Sequence, residues 1–130
     1  MSVKFFEVIV MKKQILAVLF LGLMSGVSHA AVENVCSGGE AKEVKVKDPA
    51  GFIVTTFKPK CSANTIVDYE DLDSMVAVAG ASVKGGNSFM ANSAGGSVLP
   101  FKKCAGKVCA QTDVDDAMTK AKTLGSGAGS

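Results

Sequence analysis

Apolar and polar positions change rhythm several times along this chain. Ile15 to Val27 is an almost uninterrupted apolar run. Val44 and Val46 then alternate with Lys45 and Lys47, the period of two that a half-exposed strand requires. Asp48-Pro49-Ala50-Gly51 reads as a turn, since proline presets the bend and glycine permits positive φ. Phe52-Ile53-Val54-Thr55-Thr56-Phe57 is dense in β-branched and aromatic residues and predicts the strongest strand of the protein, ended by Pro59. Thr65 to Tyr69 predicts another strand, and Asp68 to Asp73 an acidic loop behind it. Met75 to Val83 is continuously apolar or small; its length and valines favour a buried strand, with a helix as the competing reading of its alanines.

Small residues dominate 79–97, where Gly85-Gly86-Asn87-Ser88 and Asn92 to Ser97 predict two turns around a short strand, Ser88 to Ala91. Ser97 to Phe101 predicts a further strand broken by Pro100. Near the end, Val114, Ala117, Met118, Ala121 and Leu124 fall on one face at helical spacing. Thr112 stands where a helix cap belongs, Asp113, Asp115 and Asp116 occupy the first turn, and Gly125 is a natural stop. The expected fold is α+β: mainly an antiparallel β-sheet with one C-terminal amphipathic helix and two disulfides.

The apolar run Ile15 to Val27 follows Met11-Lys12-Lys13 and precedes Ser28-His29-Ala30, the order of a secretory signal peptide cut after Ala30. At about a dozen residues it is shorter than the roughly 20 a membrane-spanning helix needs. Met11 fits the natural start better than Met1, because the two lysines then form the basic leader end. The expected organisation is a removed signal over 1–30, one small disulfide-bonded domain over 31–124 and a flexible tail over 125–130. The implied location is periplasmic or secreted, with no membrane span after cleavage.

Loss of the leader removes Lys4, Lys12, Lys13 and Glu7, leaving eleven lysines against eleven acids. A neutral chain without a single arginine lacks the positive field and the planar fork that nucleic-acid binding requires. No tryptophan is present, and Tyr69 is the one tyrosine. Phe52, Phe57, Phe89 and Phe101 are therefore read as core rather than as a stacking platform.

All four cysteines, Cys36, Cys61, Cys104 and Cys109, lie after the leader, and an even count in a short exported chain reads as disulfides. Three pairings can be drawn. Cys36 with Cys61 and Cys104 with Cys109 is favoured, because each pair brackets a local segment. Chain entropy then contributes roughly 3.5 kcal/mol for the longer loop and about 2 kcal/mol for the shorter. Zinc would require four cysteine ligands without histidine, and Cys104-x₄-Cys109 is wider than the usual C-x₂-C knuckle or redox motif.

His29, the one histidine, leaves with the signal. Ser-His-Asp and Cys-His catalysis and the common zinc-hydrolase ligand sets are thereby excluded from the mature chain. Asp68, Glu70, Asp71 and Asp73 offer oxygens for calcium or a carboxylate pair for hydrolysis, but lack the EF-hand order and read as a solvated loop. Ser82 and Lys84 lack the S-x-x-K spacing of a Ser-Lys nucleophile, and Gly80-x-x-x-Lys84-Gly85-Gly86 misses that of a phosphate loop. No catalytic, metal or cofactor residue is assigned.

Phe57-Lys58-Pro59-Lys60-Cys61-Ser62-Ala63-Asn64, the small-residue strand Ala77 to Ser82, Lys84-Gly85, the glycine-rich stretch, Cys104-x₄-Cys109 and the helix ending in Gly-Ser together resemble a group of small exported Gram-negative bacterial proteins of uncharacterised function. That resemblance implies export and no particular activity. The expected function is a non-enzymatic module that binds protein or cell-envelope components by surface contact. The alternatives are a self-assembling surface or fibre subunit using residues 75–101, and a small carboxylate-dependent periplasmic hydrolase.

Overall fold

The computed structural model describes residues 31–125. The expected leader and the tail beyond Gly125 lie outside those residues. Six strands and one helix follow one another: β1 (Glu33–Ser37), β2 (Glu40–Ala41), β3 (Thr65–Asp71), β4 (Val76–Ser82), β5 (Asn87–Asn92), β6 (Leu99–Lys103) and α1 (Gln111–Ala121). The strands form one antiparallel sheet in the order β2-β1-β3-β4-β5-β6. The α+β expectation therefore holds. So do both disulfide pairings, Cys36–Cys61 and Cys104–Cys109.

Strand β4 explains why the sheet has two different faces. Its apolar run Val76-Ala77-Val78-Ala79-Gly80-Ala81 alternates valine with alanine or glycine, and alternate residues of a strand point to opposite sides. Ala77, Ala79 and Ala81 are buried with Met90, Val114, Ala117, Met118 and Ala121. Their small side chains let the helix lie close across the centre of the sheet. On the far side Val76 and Val78 join Val35, Val44, Val67 and Tyr69. Gly80 also permits close approach, since a Cβ there would sit 3.1 Å from the Ile66 carbonyl oxygen on β3.

The helix is held at both ends by side chains that its own periodicity does not reveal. Asp113 accepts hydrogen bonds from the Ala110 N–H (2.9 Å) and the Ala105 N–H (3.0 Å), tying the helix start to the loop closed by Cys104–Cys109. These two N–H groups hold the Asp113 carboxyl below the usual carboxylate range. The helix begins at Gln111 with Ala110 as the residue before it, so the expected cap at Thr112 is displaced by Asp113. At the other end the Asn92 amide of β5 donates to the Ala121 and Leu124 carbonyls, both at 2.8 Å.

Residues 42–64 depart most from the sequence expectation. The predicted strand over 52–57 does not join the sheet; one isolated bridge joins Val44 to Phe57 across the 48–51 turn. This strap runs over the sheet face opposite the helix. Two anchors put it there. Cys61 is bonded to Cys36 on β1, and the Asp71 carboxylate at the end of β3 accepts the N–H groups of Phe52 (2.9 Å) and Ile53 (3.1 Å). A chain lying over a face meets side chains rather than strand edges, so it finds no ladder partner. Gly51 permits the contact, because a Cβ there would collide with the Asp71 carboxylate.

Candidate functional site

Between strap and sheet lies an apolar cleft of about 490 Å³. Its floor is Val35 of β1, Val67 and Tyr69 of β3, and Val76 and Val78 of β4. Its roof comes from the strap: Val44, Phe52, Ile53, Val54, Thr55, Phe57 and Pro59. Three large apolar roof residues remain open to solvent, with Phe52 46%, Val54 75% and Phe57 50% exposed. Phe52 and Phe57, expected in the core, therefore occupy the mouth of a cleft instead, whereas Phe101 does pack against the core on the helix side. Phe89, on the same face as Val78 through the β4–β5 register, is 42% exposed as well.

Polar groups are scarce in the cleft. The Tyr69 hydroxyl donates to Glu33 Oε2 (3.1 Å) at its margin, and burial with the nearby Glu33 carboxylate pushes its pKa up to about 12. Thr55 supplies the other hydroxyl. Next to the cleft, sharing Pro59 with it, is an open depression lined by Lys58, Lys60, Cys61, Gly39, Glu40 and Ala41. Lys47, further along the strap, is committed to the sheet: its ammonium donates to the Asp71 carbonyl (2.7 Å) and to Asp73 Oδ1 (2.5 Å).

The acidic cluster read as a solvated loop is mostly buried strand. Asp68, Glu70 and Asp71 are 2%, 4% and 6% exposed within β3, and Asp73 alone of the four is exposed. The strand period separates them, sending Asp68 and Glu70 toward the helix and Asp71 toward the strap. Asp68 accepts hydrogen bonds from Asn34 Nδ2 (2.7 Å) and Gln111 Nε2 (2.5 Å); burial nevertheless pushes its carboxyl above the usual range. Glu70 is ion-paired with Lys122, which follows the last residue of the helix. For Asp71, burial pushes upward, but the N–H groups of Phe52, Ile53 and Asp73 with the Lys47 charge hold the carboxyl below the usual range. Each of these carboxylates joins two elements, and no two of them face each other across a cleft. Among the described residues no group of three or more His, Cys, Asp or Glu is placed to hold a metal ion.

The remaining sequence candidates fall into turns. Ser82 ends β4 and its hydroxyl accepts the Lys84 N–H (3.3 Å), while the Gly85 N–H donates to the Ser82 carbonyl (2.8 Å). These are bonds of the β4–β5 connection. In the tract 75–101, strands β4 and β5 are paired on both sides within the sheet. Strand β6 is an edge, and it carries Pro100, Lys102 and Lys103, which blunt strand addition.

The cleft is not legible in the sequence, because 52–57 has strand composition and gives no sign that its hydrogen-bond partner will be a carboxylate. The flanking Pro49 and Pro59 and the Cys61 tether are the signals that mark it as a tied-down connection. No protein family, curated protein or solved structure matches the chain.

Proposed function

We propose that the protein is an exported, disulfide-bonded binding module whose working surface is the apolar cleft under the strap. One observation carries this reading: Phe52, Val54 and Phe57 stand 46%, 75% and 50% exposed at the mouth of a cleft whose walls are almost wholly apolar. Small domains seldom leave large apolar side chains grouped on their surface unless something covers them. The volume lies within the roughly 300–1,000 Å³ typical of ligand pockets. Two disulfides suit an oxidising compartment, periplasmic or extracellular. Among the described residues no helix is long and apolar enough to cross a membrane.

Such a module acts by contact, with a protein or a cell-envelope component as partner. A photo-crosslinking amino acid at Val54, compared with one at Thr119 on the exposed side of the helix, tests the proposal in intact cells producing the full chain. Adducts formed from position 54 and absent from position 119 are expected. Equal labelling from both positions, or none from 54, would end it.

A further inference from the structure

Charge is distributed unevenly around the cleft, and the imbalance identifies a ligand class. Residues 42–61 hold Lys42, Lys45, Lys47, Lys58 and Lys60 against Glu43 and Asp48, an excess of three positive charges. The rest of the mature chain carries six lysines and nine acids, the opposite imbalance. The strap that roofs the apolar cleft is thus the basic part of a region, 31–130, whose lysines and acids are balanced in number. Of its lysines, Lys47 is engaged by Asp71 and Asp73, whereas Lys58 and Lys60 are exposed in the depression that meets the cleft at Pro59, with Glu40 as the one acid there.

We infer that the cleft takes a single-chain amphiphile with an anionic head, its alkyl chain between strap and sheet and its carboxylate or phosphate against Lys58 and Lys60. This rests on the reading of the cleft as the working surface. At about 30 Å³ per methylene-sized group, the share of one water in the liquid, 490 Å³ holds about sixteen such groups. That is one chain rather than two. Sugars and nucleotides are poorly matched, since Thr55 and the already bonded Tyr69 hydroxyl are the cleft's side-chain hydroxyls. An extended peptide is poorly matched too, because its own N–H and C=O groups would be buried without partners. An alkyl chain has no such groups, and its ionic head remains beside lysines and water.

Titration of the disulfide-bonded protein with straight-chain carboxylates of increasing length, held below their micelle concentrations, tests the assignment. Matched alcohols and a lysophospholipid with an anionic head form the other arms. Carboxylate affinity is expected to rise about fourfold per added methylene until the cleft is full. Alcohols should bind about five- to tenfold more weakly, as should carboxylates to the K58Q/K60Q protein, given the small contribution of each exposed ion pair. Both lysines are exposed, so this variant keeps the fold. Tighter binding of the lysophospholipid than of a free carboxylate of equal chain length would assign the head to a phosphate, and the reverse order to a carboxylate; either agrees with the inference. Absence of carboxylate and lysophospholipid binding, affinity independent of chain length, or alcohols binding as tightly as carboxylates would overturn it. If crosslinking at position 54 still succeeds, a failed titration removes the ligand class and leaves the binding module standing; if both fail, both fall.

Discussion

Replacing Asp71 by alanine should release the strap while leaving the sheet intact. In the native chain one carboxylate accepts the N–H of Phe52 (2.9 Å), of Ile53 (3.1 Å) and of Asp73 (3.1 Å), with the Lys47 ammonium 3.8 Å away. A hydrogen bond to a buried charged group contributes about 1.5–3 kcal/mol, and a more solvated one about 1 kcal/mol. Phe52 is nearly half exposed, so water can replace its bond in part, whereas the Ile53 amide lies deeper. Taken together, D71A should lose about 2–3 kcal/mol, a large share of the 5–15 kcal/mol typical of a domain. D71N keeps one acceptor oxygen and should lose about half of that.

Acidity supplies an internal control. Because the folded Asp71 carboxyl titrates below its ordinary value, its stabilisation is complete above the unfolded value of about 3.9. It disappears as pH falls through the lower folded value, so wild type and D71N should converge in acid. Urea unfolding monitored by circular dichroism gives the free energies, and amide hydrogen exchange of the peptide covering 48–57 reports strap opening. Wild-type exchange in that peptide, together with a D71A loss under about 0.5 kcal/mol, would refute the assignment of Asp71 as the anchor.

Three further outcomes follow from the same structure. Removing Cys36–Cys61 by paired serine substitution should cost about 3.5 kcal/mol and removing Cys104–Cys109 about 2 kcal/mol, from sequence separations of 25 and 5; a reversed order in urea unfolding would contradict the loop-closure account. Met118, 1% exposed between helix and sheet, should cost about 2–5 kcal/mol on replacement by alanine, read from thermal or urea unfolding, and a loss below about 1 kcal/mol would mean the helix packs more loosely than described. Asp68 behaves in the opposite sense to Asp71: its folded carboxyl titrates above the unfolded value, so the folded state binds the extra proton and stability falls as pH rises between the two values. D68N keeps one of the two acceptor oxygens that Asn34 and Gln111 use, so it should lose about 1 kcal/mol in urea unfolding at neutral pH and remove that slope, and a slope that persists in D68N would show that another group produces it.

Features legible in the chain are those that depend on neighbours in sequence. Cysteine spacing indicated both pairings, since short loops close at the smallest entropic cost. The 3.6-residue period of Val114, Ala117, Met118 and Ala121 indicated the helix and its buried face. Turn residues separated Thr65 to Tyr69, Met75 to Val83 and Ser88 to Ala91 as strands, which the sheet adjusts to Thr65–Asp71, Val76–Ser82 and Asn87–Asn92.

What folding alone decided concerns partners far apart in sequence. An all-apolar stretch such as Val76 to Ala81 does not say which side will face a helix; the separation of valines from alanines has meaning only once both faces are covered. Asp68, Glu70 and Asp71 look like a solvated loop because adjacent carboxylates usually seek water. Strand alternation instead sent them to opposite faces, where Asn34, Gln111, Lys122 and the strap amides supplied donors or charge. The same contest decided 52–57: its residues prefer extended backbone, but a strand also needs a free edge beside it. Asp71 and the Cys36–Cys61 tether held the segment above the sheet instead, which left the phenylalanines at the rim of a cleft.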